Sequence, residues 1–195
     1  MKKTNSIITI SIVTTILILI CIYLILIKPV LYKNYFKNTI INPTLVALDL
    51  YSDSASNLLI GTAMQESCLG RLSNNIFQIK LNTAQDINTN YLAYRPALYK
   101  AVMKLYNNSH SLEWNLNNNI NYQVALARIV YQRSHGELPN ASNSKALAEF
   151  WKNNYNTYLG RGTASQFQSI YDNYLFVGFS RCIVKYWLYA KHDSK

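Results

Sequence analysis

The sequence predicts an all-α (mainly α) protein that lies behind one N-terminal transmembrane helix. Apolar residues recur at helical spacing through most of residues 43–195, and an uncharged apolar run covers residues 7–27. The chain shows no series of alternating strand patterns and no internal repeat. Its 195 residues suffice for one ordinary domain plus a short segment. We therefore expect a flank (1–6), an anchor (7–27), a connector (28–42) and one helical domain (43–195).

The apolar run extends from Ile7 to Ile27 without a charged residue. At about 1.5 Å per residue, a helix of this length crosses a hydrocarbon layer of roughly 30 Å. The run ends in bulky residues and continues into Lys28 and Pro29, whereas a signal peptide ends in a small-residue cleavage site. We therefore expect an uncleaved single-pass anchor. Lysines flank both of its ends, so charge does not decide its orientation.

The helices of the domain are predicted in chain order. Pro43 suits the first turn of a helix over residues 44–50. The next helix begins at Asp53 or Ser54, which are capping-type residues, and closes near Gly70. The later helical patterns begin near Asn82 or Thr83 and then cover Pro96 to Tyr106, Ile120 to Arg133, Ser144 to Asn154 and Ser165 to Tyr186. The asparagine-rich residues 115–119 are predicted to form a solvated turn.

The chain is basic, with a formal net charge of +10 at pH 7. A basic surface favours polyanions such as nucleic acid, anionic lipid or the acidic polymers of a bacterial envelope. There is no zinc-knuckle or helix-turn-helix signature, and a membrane anchor argues against a nucleic-acid partner, so none is expected.

The cysteines and histidines bear on disulfide formation and metal binding. Cys21 lies inside the apolar run, which leaves Cys68 and Cys182 as the possible internal pair. A disulfide is possible in an oxidising compartment, but two free buried thiols are favoured. The histidines show no ligand spacing, so neither a metal nor a cofactor is predicted.

Glu66 is the leading candidate for chemistry. At about 100° per residue it shares one apolar helix face with Leu59 and Ala63. Burial there would raise the pKa of its carboxyl toward the range in which a glycosidase acid works. The alternative is a structural glutamate that bonds to a helix cap or pairs with Arg71.

Three segments extend this candidate into a pattern: Glu66-Ser67-Cys68-Leu69-Gly70, Ile76-Phe77-Gln78-Ile79 and Tyr155-Asn156-Thr157-Tyr158-Leu159-Gly160. They resemble the ordered motifs of the lysozyme-like lytic transglycosylases (SLT-type), which run Glu-Ser-x-x-Gly, Gly-Leu-Met/Phe-Gln-Ile and Ala-Tyr-Asn-Ala-Gly. Residues 42–156 also resemble phage-associated and envelope-associated members of that family. The resemblance spans roughly three fifths of the chain and omits the anchor and the last helix. It implies a lysozyme-like helical domain.

The resemblance also implies roles for six residues. Glu66 would be the catalytic acid/base, with Ser67 as a hydrogen-bond partner that positions it. Phe77 and Gln78 would line the sugar cleft, and Tyr155 and Asn156 would support the carboxylate and the substrate from the opposite wall. The chain departs from the family pattern at Asn75, where the family has Gly, and at Asn154, Thr157 and Tyr158, where it has small residues.

The activity implied is cleavage of the bond between N-acetylmuramic acid and N-acetylglucosamine in peptidoglycan, on the periplasmic or outer side of a bacterial cytoplasmic membrane. One alternative is a hydrolytic lysozyme, in which Asp86 is the nearest candidate for a second carboxylate. Another is a catalytically silent glycan-binding or scaffold protein on the same fold. Trp151 could stack on a sugar ring, although packing in the core is the favoured role.

Overall fold

The computed structural model describes residues 2–22, 28–134, 136–158, 160–174 and 182. Within these ranges the chain forms helices and no strand, which confirms the all-α prediction. The α-helices are α1 (Lys2–Ile22), α2 (Lys28–Phe36), α3 (Asn42–Ala47), α4 (Asp53–Ser67), α5 (Leu81–Asn90), α6 (Pro96–Met103), α7 (Leu112–Asn118), α8 (Ile120–Gln132), α9 (Ser144–Trp151) and α10 (Ala164–Asp172). Shorter helical pieces are the π-helical turns Lys37–Ile41 and Lys152–Asn156 and the 3₁₀ turn Leu92–Tyr94.

The N-terminal region is helical on both sides of an undescribed stretch. A search of the described residues finds no helix that meets the length and apolarity needed to span a membrane. The predicted anchor includes residues 23–27, which lie outside the described residues, so the anchor stays a prediction. The predicted connector, residues 28–42, is helical throughout, and Phe36 and Ile41 within it are buried in the core.

Side-chain caps begin five of the domain helices. The Ser52 hydroxyl accepts the Ala55 N–H at 3.0 Å, so α4 is capped one residue before the predicted capping residues Asp53 and Ser54. The residues that cap α7, α8, α9 and α10 in the same way are Ser111, Asn119, Asn143 and Thr163. At its other end α4 stops at Cys68, whose left-handed backbone (φ 55°) breaks the helix two residues before Gly70.

The asparagine-rich segment is a helix rather than the predicted solvated turn. Asn115 is fully buried in α7, and its amide group bonds to the backbone on both sides. Its Oδ1 accepts the Asn107 N–H at 2.9 Å, and its Nδ2 donates to the carbonyls of Asn107 and Ser111 at 3.0 Å. The prediction failed because polarity suggested exposure, whereas this polar side chain is satisfied inside the fold.

The core is built around α4 and α8. α4 packs against α8, α9 and α10, while α8 also packs against α3, α5 and α7. The close approach of α4 to α10 depends on Gly61, because a Cβ there would lie 2.3 Å from Cζ of Phe167. The end of α4 that carries Glu66 is thus fixed by the helices around it.

A disulfide joins Cys68 to Cys182, two residues separated by 114 positions in the chain. The favoured prediction of two free buried thiols is therefore wrong. The sequence could not show that the C-terminal segment returns to the end of α4, where the two Cα atoms lie 5.8 Å apart. The last predicted helix, Ser165 to Tyr186, is seen as α10 up to Asp172, and most of its remainder lies outside the described residues.

Candidate active site

A cleft of about 820 Å³ opens beside the C-terminal end of α4. Four parts of the chain form its walls: the end of α4, the segment from residue 72 to the first turn of α5, α8 through Val130, and the turn after α9. Its described lining consists of Glu66, Leu72, Ser73, Gln78, Ile79, Lys80, Thr83, Val130, Tyr155, Asn156, Thr157 and Gly160. The cleft thus brings together one or more residues from each of the three sequence motifs.

Glu66 is placed in the cleft by the last turn of α4 and is oriented by Trp151. Its Oε1 accepts a hydrogen bond from Nε1–H of Trp151 at 3.2 Å. The indole is 1% exposed and stacks on Phe167 at 5.2 Å, so the donor is held rigidly. Trp151 therefore packs in the core, as predicted, and also bonds to the candidate acid. The sequence carried no signal for this second role, because 85 positions separate the two residues.

Ser67 is buried and acts on the turn that follows Glu66. Its hydroxyl accepts the Gly70 N–H at 2.9 Å and donates to the Ala63 carbonyl at 3.3 Å. Cys68, Leu69 and Gly70 all have positive φ, so this turn reverses the chain tightly. Both bonds go to the backbone, so Ser67 positions Glu66 by fixing the backbone beside it.

The side chain of Gln123 on α8 binds the backbone of the loop between α4 and α5. This side chain is 1% exposed, and its Oε1 accepts the Ile76 N–H at 2.8 Å. Its Nε2 donates to the Asn74 carbonyl at 3.0 Å. Gln123 thus satisfies two backbone groups of the loop and fixes the cleft wall that follows.

Asn75, which departs from the family pattern, closes the same loop. Its Oδ1 accepts the Ile79 N–H at 3.1 Å, and its Nδ2 donates to the Ile79 carbonyl at 2.8 Å. Gln78 sits at the tip with φ 51° and donates from Nε2 to the Asn75 carbonyl at 2.7 Å. The asparagine side chain therefore replaces a backbone pairing and presents Gln78 to the cleft.

Phe77 does not line the described cleft, contrary to the prediction. Its side chain is fully buried, because it points from the loop into the core. Its contribution is the backbone carbonyl, which accepts a hydrogen bond from the Tyr155 hydroxyl at 2.7 Å. This bond ties the wall carrying Gln78 to the wall carrying Tyr155.

Tyr155 belongs to a pair of tyrosines next to Glu66. Its ring lies 5.1 Å from that of Tyr131, whose hydroxyl is 2.6 Å from Oγ1 of Thr62. Thr62 donates its only hydroxyl proton to the Leu58 carbonyl, so Tyr131 is the donor to Thr62. Burial raises the pKa of both tyrosines well above the ordinary value, and the negative charge of Glu66 raises each further. Both phenols therefore stay neutral at neutral pH.

The far wall is a turn held by polar side chains of the segment after α9. Asn156 lines the cleft and donates from Nδ2 to the Gly162 carbonyl at 2.7 Å. Lys152 donates to the Gly160 carbonyl at 2.9 Å. Thr157 has φ 61° and ψ 177°, a backbone conformation that residues other than glycine rarely adopt.

Two of the described lining residues are charged, Glu66 and Lys80. Asp86, the candidate second carboxylate, is not among the described lining residues. It forms an ion pair with Arg133 and accepts the Asn90 amide at 2.8 Å. Both contacts lower the pKa of the Asp86 carboxyl, and the hydrogen bond from Asn90 is the largest single cause. The described part of the cleft therefore offers one carboxylate for acid and base chemistry.

Metal binding and similarity to known proteins were the two remaining sources of functional information. Among the residues that the structure describes, no group of three or more His, Cys, Asp or Glu side chains could hold a metal ion. Comparison with protein-family models, curated proteins and solved structures finds no match for this chain. The functional interpretation therefore rests on the motifs and on the geometry of the cleft.

Proposed function

We propose that this protein is a lytic transglycosylase that cleaves the bond between N-acetylmuramic acid and N-acetylglucosamine in peptidoglycan. The observation that carries the proposal is the cleft itself, in which Glu66, Gln78, Tyr155 and Asn156 meet. These residues come from three segments that resemble the family motifs in order. Around Glu66 the described lining is mainly hydroxyl, amide and apolar, which suits the hydroxyl and acetamido groups of a sugar chain.

In the proposed reaction one glutamate acts twice. Protonated Glu66 gives its proton to the glycosidic oxygen as the bond from that oxygen to C1 of the muramic acid breaks. The resulting carboxylate then takes the proton of the C6 hydroxyl of the same sugar while the C6 oxygen bonds to C1. A 1,6-anhydro ring forms, Glu66 is protonated again, and no water is consumed.

The number of carboxylates favours this reaction over hydrolysis. Glycosidases that activate water commonly use two carboxyl groups on either side of the scissile bond. The described lining holds one, and Asp86 is engaged by Arg133 and Asn90 instead. A single acid/base that uses a hydroxyl of the substrate as nucleophile fits this lining.

The location we propose is the outer face of a bacterial cytoplasmic membrane. The uncharged run of residues 7–27 supports an anchor, and the disulfide between Cys68 and Cys182 supports an oxidising compartment. Peptidoglycan lies on that side of the membrane, so the proposed location agrees with the proposed substrate.

The test is mass spectrometry of the muropeptides that the full chain, in detergent, releases from purified peptidoglycan. Wild type should release 1,6-anhydro products, and Glu66→Gln should release none. Glu149→Gln is the matched control, because Glu149 is an exposed glutamate on α9. Products with reducing ends would instead indicate a lysozyme. Binding to the glycan without release by the folded wild type would indicate a scaffold protein.

A further inference from the structure

We infer that Lys80 is the specificity-determining residue of the cleft and that it binds a carboxylate carried by the muramic acid units of the glycan. Lys80 is the one cation among the described lining residues. The inference rests on the proposed function, since the cleft must hold a peptidoglycan strand for the carboxylate to be present.

The backbone of Lys80 is held by hydrogen bonds, while its side chain is exposed. Its carbonyl accepts the Ala84 N–H at 3.1 Å, which makes it the residue that starts α5. The preceding Ile79 is held on both its N–H and its carbonyl by Asn75. The side chain is exposed, and among the described residues it has no hydrogen-bond or ion-pair partner. The exposed ammonium group can therefore bind a ligand without breaking an internal contact.

Two other cations near the cleft are already engaged. Lys152 donates to the Gly160 carbonyl, and Arg133 is paired with Asp86. Their charges serve the turn after α9 and the contact between α5 and α8. Lys80 differs from these two in that it lines the cleft, and it can bind a ligand without breaking an internal contact.

The chemistry of the substrate determines what Lys80 can recognise. The N-acetylglucosamine unit carries no charge, whereas muramic acid carries a lactyl group at O3. In glycan stripped of peptide this group ends in a carboxylate, and in peptide-bearing glycan the stem peptide supplies carboxylates instead. An ammonium group pairs with either one, and it would distinguish muramic acid from the neutral sugar beside it. Lys80 would therefore set the register of the strand on Glu66.

The experiment measures binding with cleavage blocked, using full-length Glu66→Gln in detergent. The ligands are a neutral chitohexaose, peptide-free glycan and peptide-bearing glycan. Each is titrated against the Glu66→Gln protein alone and with Lys80→Met, Lys80→Arg or Lys145→Met added. Lys145 is an exposed lysine on α9, outside the described cleft lining, so its variant controls for net charge.

Lys80→Met should weaken binding of the carboxylate-bearing glycans about fivefold, as expected for a solvent-exposed ion pair, and leave chitohexaose binding unchanged. Lys80→Arg should keep most of the affinity, and Lys145→Met should have no effect. A loss confined to peptide-free glycan identifies the lactyl carboxylate, and a loss confined to peptide-bearing glycan identifies the stem peptide.

An equal loss on all three ligands, or no loss on any, overturns the role of Lys80. Cleavage assays keep this failure separate from failure of the proposed function. If wild type releases anhydro-muropeptides and Lys80→Met binds normally, only the inference falls. If wild type neither cleaves nor binds any glycan, the proposed function and the inference fall together.

Discussion

Replacing Gln123 with methionine should destabilise the protein by disconnecting the loop that carries Gln78. Methionine has a similar length and fills the same space, but it can neither accept the Ile76 N–H nor donate to the Asn74 carbonyl. Ile76 is buried, so its N–H would lose its partner without gaining water. Asn74 is exposed, and its carbonyl can be solvated instead.

The expected loss of stability is the sum of two terms, one for the buried N–H of Ile76 and one for the solvated carbonyl of Asn74. An unsatisfied buried donor costs about 1–3 kcal/mol, and the loss of a bond that water replaces costs about 0.5–1.5 kcal/mol. The free energy of unfolding of Gln123→Met should therefore fall by about 2–4 kcal/mol. Release of muropeptides should fall as well, because Gln78 would no longer be held in place.

Urea denaturation followed by circular dichroism provides the assay. Gln132→Met is the matched control, since Gln132 is exposed at the end of the same helix and its substitution should change little. If the two variants lose equal stability, or if Gln123→Met loses under about 0.5 kcal/mol, the reasoning that Gln123 anchors the loop is refuted.

Three other contacts described above, the Trp151–Glu66 hydrogen bond, the disulfide and the Asp86–Arg133 ion pair, can each be tested by substitution. Trp151→Phe keeps an aromatic ring but removes the N–H that orients the Glu66 carboxyl, so release of muropeptides should fall. Trp114→Phe, at a stack with His110 away from the described cleft lining, should leave muropeptide release unchanged. Cys68→Ser opens a loop that spans 114 positions and should reduce the free energy of unfolding by about 4–5 kcal/mol in urea denaturation, whereas Cys21→Ser should not. The lowered pKa of Asp86 means that its ion pair stabilises the fold above the ordinary Asp pKa and stops doing so as pH falls through the lowered value. Asp86→Asn should therefore lower the urea midpoint at neutral pH but not in strong acid, and an equal effect at both would contradict this assignment.

The helices of the domain were predictable because apolar spacing and capping residues are local signals. The pattern of α8 and the position of Glu66 in α4 are examples, since each depends on residues within a few turns. The prediction failed at Asn115, where a buried polar side chain is satisfied by backbone groups up to eight positions away. Composition cannot distinguish that asparagine from an exposed one.

The parts of the site that the sequence did not reveal are contacts between distant segments. Trp151 reaches Glu66 across 85 positions, and Gln123 reaches Ile76 across 47. Neither pair has a spacing that indicates contact, because only the packing of α4, α8 and α9 brings them together. Phe77 shows the same limit, since the motif identified its segment but not that its side chain points inward.

The bond from Tyr155 to the Phe77 carbonyl bears on how the cleft receives its ligand. It spans 78 positions and joins two walls of the cleft in the absence of a ligand. Under the proposed function, a glycan strand that enters this site does not have to order these walls, so the conformational entropy lost on binding comes mainly from the glycan itself. Calorimetry should then show a smaller entropic penalty for a short, stiff oligosaccharide than for a long, flexible one.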